Sequence, residues 1–293
     1  MGPDARHLLR FLGVPAFHFR DWSWPAPPRQ TALHHRAFTT VAVVSLLPHV
    51  GRTTLCANFA AALAQRGWRA AACDLDPRGT LSAHLSKRPE VREIGFEPHD
   101  EPASAGLVHW VGQDVGFVPF GQHPAASTAL LAAECDVAVL DVPAGMSRTL
   151  QQAVSEADEV LVMLRPDAES VEAVRPTEAL LQQHRMRARG SAWRYVVNGL
   201  DARRAADRES LSTLRALLGA RLLEPPIQED RAAREALALG RFIIEQALAS
   251  QTAEDIAEIA RQVIAAEAPL PRDRAHRQPV RPGKVPAKHV RAR

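Results

Sequence analysis

The chain has 293 residues, a formal charge of +3 and 46% hydrophobic residues, which suits one large α/β domain with tails and excludes a wholly disordered chain or a small disulfide scaffold. The charge is uneven: Arg272 to Arg293 carries eight Lys/Arg against one Asp, so the body before it carries about −4. The basic balance belongs to a tail and gives no reason to expect nucleic-acid binding by the globular part.

Taken in chain order, residues 1–38 stand apart. Asp4 to Leu12 predicts a short amphipathic helix with Leu8, Leu9, Phe11 and Leu12 on its apolar side. Phe17, Phe19, Trp22 and Trp24 then run into Pro25, Pro27 and Pro28, an extended linker. So many aromatics in a short stretch predict a segment that docks on its own domain or on a partner. Thr40 to Leu47 is apolar and Val-rich, the pattern of a strand buried on both faces of a parallel sheet. Thr53 to Arg66 predicts a helix, with Leu55, Phe59 and Leu63 on one face and Gly67 as its stop. Arg69 to Asp74 predicts a second strand. Leu107 to Phe120 holds two short strand-like runs, with Gly112 and Asp114 marking the turn.

Val137 to Asp141 is another buried strand, Ser147 to Ala157 a helix, and Val160 to Leu164 a strand. A helix from Glu169 to about Arg187 is expected to kink or break near Pro176. Trp193 to Asn198 predicts a strand, Arg204 to Leu218 a helix, Arg221 to Leu223 a short strand and Asp230 to Leu239 a helix. Thr252 to Ala266 closes the domain as an amphipathic helix carrying Ile256, Ile259, Val263 and Ile264. The alternation predicts an α/β fold with a doubly wound, mostly parallel sheet over residues 39–268. Residues 269–293 read as a disordered tail, since Pro271, Pro279, Pro282 and Pro286 break any helix.

Cys56, Cys73 and Cys135 form neither a CxxC nor a paired framework, which suggests a reducing compartment. The longest charge-free hydrophobic stretch, Ala37 to Gly51, contains Pro48 and falls short of the roughly 20 residues a bilayer needs. With no signal-peptide pattern at the start, a cytoplasmic protein is expected.

Leu47-Pro48-His49-Val50-Gly51-Arg52-Thr53-Thr54 sits between the first strand and the first helix. A loop there aims backbone N–H groups and a helix N-terminus at one point, which suits polyphosphate. Gly51 permits close approach, Arg52 supplies charge, and the Thr53 hydroxyl can hold Mg²⁺ with Thr54 beside it. Asp141 ends a buried strand, where a magnesium–water contact is expected. Each Asp can equally cap a turn or a helix.

This loop resembles the deviant Walker A box, KGGVGKTT, of the ParA/MinD ATPases. Val50, Gly51, Thr53 and Thr54 match; Arg52 replaces the phosphate-binding Lys, Leu47 the signature Lys, and Pro48 and His49 the two glycines. Further segments follow in the family's order. Cys73-Asp74-Leu75-Asp76-Pro77-Arg78-Gly79 resembles DLDPQG, and Val139-Leu140-Asp141-Val142-Pro143-Ala144-Gly145 resembles IIIDTPPG. The resemblance implies a P-loop NTPase fold of the MinD-like kind, with ATP and Mg²⁺ as cofactors. It implies that Asp76 polarises the attacking water and that Asp74, with Thr53 and Asp141, serves the metal. His49 to Thr54 would cradle phosphate. Val196-Val197-Asn198 resembles the strand end whose Asn reads adenine, and Pro226 to Asp230 resembles the loop that packs on the base.

Within that family the chain is similar to the cellulose-biosynthesis accessory branch, of BcsQ type. The P-loop lacks the usual Lys, and Val118 to Gln122 matches an LPFGQ segment. Gln228 to Glu245, with Asp230, Glu235, Ala236 and Gly240, matches a late helix and following strand. Asp4 to Trp22 is similar to the short BcsR/BcsP-like proteins. This implies an ATP-dependent homodimer at the cytoplasmic face of a membrane cellulose synthase complex, beside its small accessory proteins. The basic tail is a candidate for peripheral membrane contact, and sequence-specific nucleic acid is not expected.

The departures bear on turnover. Leu47 cannot supply a cation across a dimer, and losing such a cation can remove about 10³ to 10⁵ in rate. Arg52 keeps the charge but is planar and not interchangeable with Lys. Weak or absent hydrolysis is therefore expected. An alternative is a positioning ATPase for chromosome, plasmid or division-site partitioning, which needs a cycling site. A third reading, an iron–sulphur reductase or ligase, lacks support because Cys73 and Cys135 read as small core residues. His7, His18, His34 and His35 have no partners at metal spacing. His49 either donates to phosphate or simply fills the loop.

Overall fold

The computed structural model describes residues 38–85, 106–111, 119–120, 135–185, 192–239, 241–246 and 250–264. The expected arm before residue 38, residues 118 and 121–122 of the Val118–Gln122 match, Gly240 and the basic tail lie outside the described residues.

The strands are β1 (Thr39–Val44), β2 (Ala70–Asp74), β3 (Gly106–Val111), β4 (Pro119–Phe120), β5 (Val137–Asp141), β6 (Glu159–Leu164), β7 (Ala192–Leu200) and β8 (Ile227–Gln228). They form one sheet in the order β4-β3-β2-β5-β1-β6-β7-β8. The six strands from β2 to β8 in that order run parallel. β3 is antiparallel to β2, and β4 to β3. The helices are α1 (Arg52–Gln65), α2 (Thr80–Leu85), α3 (Arg148–Glu156), α4 (Ala168–Arg185), α5 (Ala205–Leu218), α6 (Arg231–Ala238), α7 (Ile243–Gln246) and α8 (Gln251–Val263).

Strand alternation divides the core in two. Val41, Val43, Val137, Val139, Leu161, Met163 and Val196 face α1 and the α6–α8 group. Ala42, Val44, Ala138, Val160, Val162 and Val197 face α3, α4 and α5. Helices on both faces of a parallel sheet explain why β1, β5 and β6 are apolar almost throughout. At the end of α1 the Arg66 and Gly67 amides donate back to Leu63 and Ala64, with Gly67 at φ 86°, so the chain turns where a stop was expected. Ser147 caps α3 by accepting from Leu150 N at 3.0 Å.

Several expectations need correction. α4 is not broken at Pro176 but continues to Arg185. Pro176 and Glu172, whose carbonyl loses a donor there, both face solvent, so water can satisfy that group. Arg221 to Leu223 is not a strand: Gly219–Arg221 is a single 3₁₀ turn, and Leu222 makes an isolated bridge to Tyr195. The Arg221 guanidinium instead reaches both oxygens of the buried Glu178 at 2.7 Å. The strand expected after the late helix is the short helix α7; its Ile243 and Ile244, with Phe242 just before it, plug the α1 face of the core. β8 falls within the segment read as a loop, and α2 had no counterpart in the sequence reading. Its Leu81 is buried on the α1 side.

Candidate functional site

β1 lies between β5 and β6, and the chain leaves it first towards β2 and later towards β6. The carboxyl ends of strands at such a reversal of order form the crevice where open α/β sheets take ligands. The loop after β1 opens there. Asp74 and Asp141 are register partners at the ends of β2 and β5, and Val43 pairs with Asp141. Alternation puts both carboxylates, and Asn198 of β7, on the α1 face.

Ser45 anchors the loop at its start. Its hydroxyl accepts from Leu47 N at 3.0 Å, and its carbonyl accepts from Gly145 N at 3.2 Å. His49 is exposed and holds φ 58°, a left-handed conformation that glycine adopts more readily. Gly51 holds φ 90° and accepts from Leu55 N at 2.9 Å, opening α1. The Asn198 amide donates to Val50 O at 2.9 Å, tying the loop to β7. The approach is so close that a Cβ on Gly51 would sit 2.2 Å from Asn198 Nδ2. Val50 is buried in the α1-side core, and Leu47 packs on its margin.

The charged groups converge in front of this loop. Thr53 donates its hydroxyl to Asp141 Oδ2 at 2.6 Å, leaving the buried Asp141 Oδ1 without a hydrogen-bond partner. Burial pushes the Asp141 carboxyl up to about 6; the Thr53 hydroxyl opposes this and Asp74 adds to it. Arg52 is buried, its Nη2 4.0 Å from Asp76 Oδ2 and its Nε and Nη1 without partners. Burial lowers its pKa, with Asp141 the largest opposing charge. The Arg78 guanidinium grips Asp76, Nη2 to Oδ2 at 2.7 Å and Nε to Oδ1 at 3.1 Å. These bonds hold the Asp76 carboxyl below its usual value despite burial. Asp74 closes the following turn: Oδ1 accepts from Asp76 N at 3.1 Å, and Oδ2 from Ser82 N and Oγ, both at 2.8 Å. α2 thus presents Ser82 to Asp74.

A buried guanidinium with two idle donors and a buried carboxylate with one idle oxygen fit an anion and a cation respectively. Among the described residues no group of three or more His, Cys, Asp or Glu could hold a metal alone. A magnesium ion here would lean on Thr53, water and a ligand's oxygens, as that ion commonly does.

Pro226 is buried just before β8. The Asp230 carboxylate caps α6 through Ala233 N at 2.6 Å and holds Ser250 Oγ at 2.6 Å and Thr252 N at 3.1 Å. Burial raises the Asp230 pKa, but those hydrogen bonds outweigh it and leave the carboxyl lowered. Thr54 offers its carbonyl to Asn58 Nδ2 at 2.9 Å. Asn58 is fully buried, and its Oδ1 accepts from Ile243 N at 2.7 Å. The sequence reading missed Asn58; a lone amide on the apolar face of α1 was the available signal. Cys56, Cys73 and Cys135 are all buried, and none of them forms a disulfide.

A family model described as the CobQ/CobB/MinD/ParA nucleotide binding domain matches residues 41–244. The chromosome-partitioning ATPase Soj of Thermus thermophilus is 29% identical over 231 residues, spanning 74% of this chain and 91% of that protein. The MinD cell division protein of Aquifex aeolicus superposes with a TM-score of 0.61 at 21% identity, covering 80% of this chain and all of that one. Cobyrinic acid a,c-diamide synthase from Mycobacterium smegmatis, solved with bound ADP and magnesium, gives a TM-score of 0.57 at 19% identity, covering 79% and 98%. Both structural likenesses concern the fold.

Proposed function

Because the chain belongs to the CobQ/CobB/MinD/ParA nucleotide-binding domain family, we propose that it binds magnesium–ATP at the β1–α1 loop and works as a slow switch. The observation that carries this is the buried Arg52 with two unpartnered donors beside the Thr53–Asp141 pair. Backbone amides of His49 to Thr54 would cradle the phosphates, and Arg52 would neutralise them. Thr53 and Asp141 would hold the metal, and Asp74 would fix the turn that carries Asp76. Asn198 and the Pro226–Asp230 segment border the base. The bound magnesium would supply charge neutralisation along the polyphosphate. Asp76 would orient a water, although Arg78 already engages both its oxygens. With neutral Leu47 in the signature position, turnover should be slow or absent.

The exposed Met146, in the turn between β5 and α3, sits beside the Gly145 amide that holds Ser45. An apolar side chain standing free at the rim supports a face-to-face homodimer closing over the nucleotide. The degenerate loop and the Val118–Gln122 segment support an accessory role at a membrane cellulose synthase complex. Contact with the complex would be peripheral, through the basic tail; among the described residues no helix is long and apolar enough to cross a membrane. The similarity to Soj favours a second reading, a positioning ATPase for partitioning.

Calorimetry and light scattering of the full chain with Mg²⁺ and ATP test the core of this. Binding with a doubling of mass, both lost in Gly51→Val, is the expected result. Flat titrations would refute it. Co-purification with a cellulose synthase subunit, together with turnover that DNA does not stimulate, separates the two readings. Robust hydrolysis abolished by Asp76→Ala would overturn the slow-switch assignment.

A further inference from the structure

We propose that Arg78 binds the terminal phosphate and makes the site distinguish a nucleoside triphosphate from a diphosphate; this rests on the nucleotide reading above. Asp76 Oδ2 is flanked by two guanidinium groups, Arg78 Nη2 at 2.7 Å and Arg52 Nη2 at 4.0 Å. A carboxylate oxygen between two arginines stands where a phosphate oxygen can stand, since both present charge and lone pairs to the same forked donors. Asp76 is therefore an internal anion that an incoming phosphate displaces.

The two arginines differ in freedom. Arg52 starts α1 and is 5% exposed. Arg78 is 61% exposed in the turn after β2, so its head can change rotamer without disturbing the core. Charge argues the same way. Asp74, Asp76 and Asp141 are three carboxylates, and with Leu47 neutral Arg78 is the second cation after Arg52 that faces them. A similar Asp-x-Arg staple closes a surface turn at Asp201–Arg203, where Arg203 and Arg204 both face solvent. At Asp76 the second guanidinium is buried with two donors idle, which makes that staple part of an anion seat.

The test is calorimetry of the full chain with Mg²⁺ and either ADP or the non-hydrolysable AMP-PNP, in wild type, Arg78→Gln and Arg78→Lys. Losing a charge-assisted bond to the terminal phosphate should weaken AMP-PNP binding by about ten- to a hundredfold in Arg78→Gln. ADP affinity should stay within about twofold, and Arg78→Lys should fall between wild type and Arg78→Gln for AMP-PNP. Nucleotide-free variants should stay folded, with melts within a few degrees of wild type, since Arg78 is mostly exposed. An equal loss for both nucleotides overturns the proposal. So does unchanged or improved AMP-PNP binding in Arg78→Gln, the mark of an arginine that merely latches Asp76. A wild-type chain that binds neither nucleotide removes the nucleotide reading itself, a result separate from these.

Discussion

Replacing Gly51 by Ala tests the loop at its tightest point. A φ of 90° strains any residue with a Cβ, at about 1–2 kcal/mol. The new methyl would lie 2.2 Å from Asn198 Nδ2, so the amide must swing away. That forfeits its bond to Val50 O, worth about 0.5–1.5 kcal/mol net. The two effects add to about 1.5–3.5 kcal/mol, a fall in Tm of roughly 3–14 °C for a domain of this size. Denaturant melts of Gly51→Ala, Asn198→Ala and the double variant read this directly. Because the first change already breaks the Asn198 bond, the second should add less than about 0.5 kcal/mol on top of it. Strict additivity of the two losses would mean that the amide and the loop are not in contact, and the site geometry described above would fall.

The other predictions concern single groups. Asn58→Ala should cost about 1–3 kcal/mol, because Ile243 N loses its acceptor in a dry core; chemical denaturation measures it. Thr53→Val should remove the magnesium dependence of nucleotide binding, so titrations with and without chelator should coincide. Asp230→Ala should cost about 1–2 kcal/mol through the lost cap on α6. Equal losses with and without nucleotide are expected, and a larger loss with nucleotide would place its carboxylate on the base. Met146→Glu should keep the chain monomeric in sedimentation with Mg²⁺ and ATP, and weaken nucleotide binding only by the share that dimerisation adds.

The inner strands were readable because burial on both faces leaves unbroken apolar runs: Val137 to Asp141 matched to the residue. Helix ends were readable where Gly67 and Ser147 carry their own stop and cap chemistry. The edge was harder. β8 has two residues and takes its identity from β7 alongside, not from its own pattern. Arg221 misled because its neighbours look like a strand, while its side chain is drawn to Glu178, 43 residues earlier. A break at Pro176 was over-read because its cost depends on whether the freed carbonyl meets solvent, which periodicity does not record. In the site, Asp141 was nameable from its place at a strand end, Thr53 from the loop after the first strand, and Asn198 from the resemblance to a family motif. The grip of Arg78 on Asp76 was not, since nothing in the one-dimensional pattern tells a turn arginine in solvent from one sharing an oxygen with a buried partner.

The Asn58 bridge sets a timetable for the chain as it is made. One amide of the first helix waits for a backbone group 185 positions later, and the helix packs on core residues that come later still. At about 5–20 residues per second of synthesis, the early segment stands about ten to forty seconds without the piece that closes over it. During that interval Phe59 and Leu63, at the heart of the finished molecule, are open to whatever else the cell offers. A chain stalled on the ribosome ahead of Ile243 should therefore leave the apolar face of α1 uncovered.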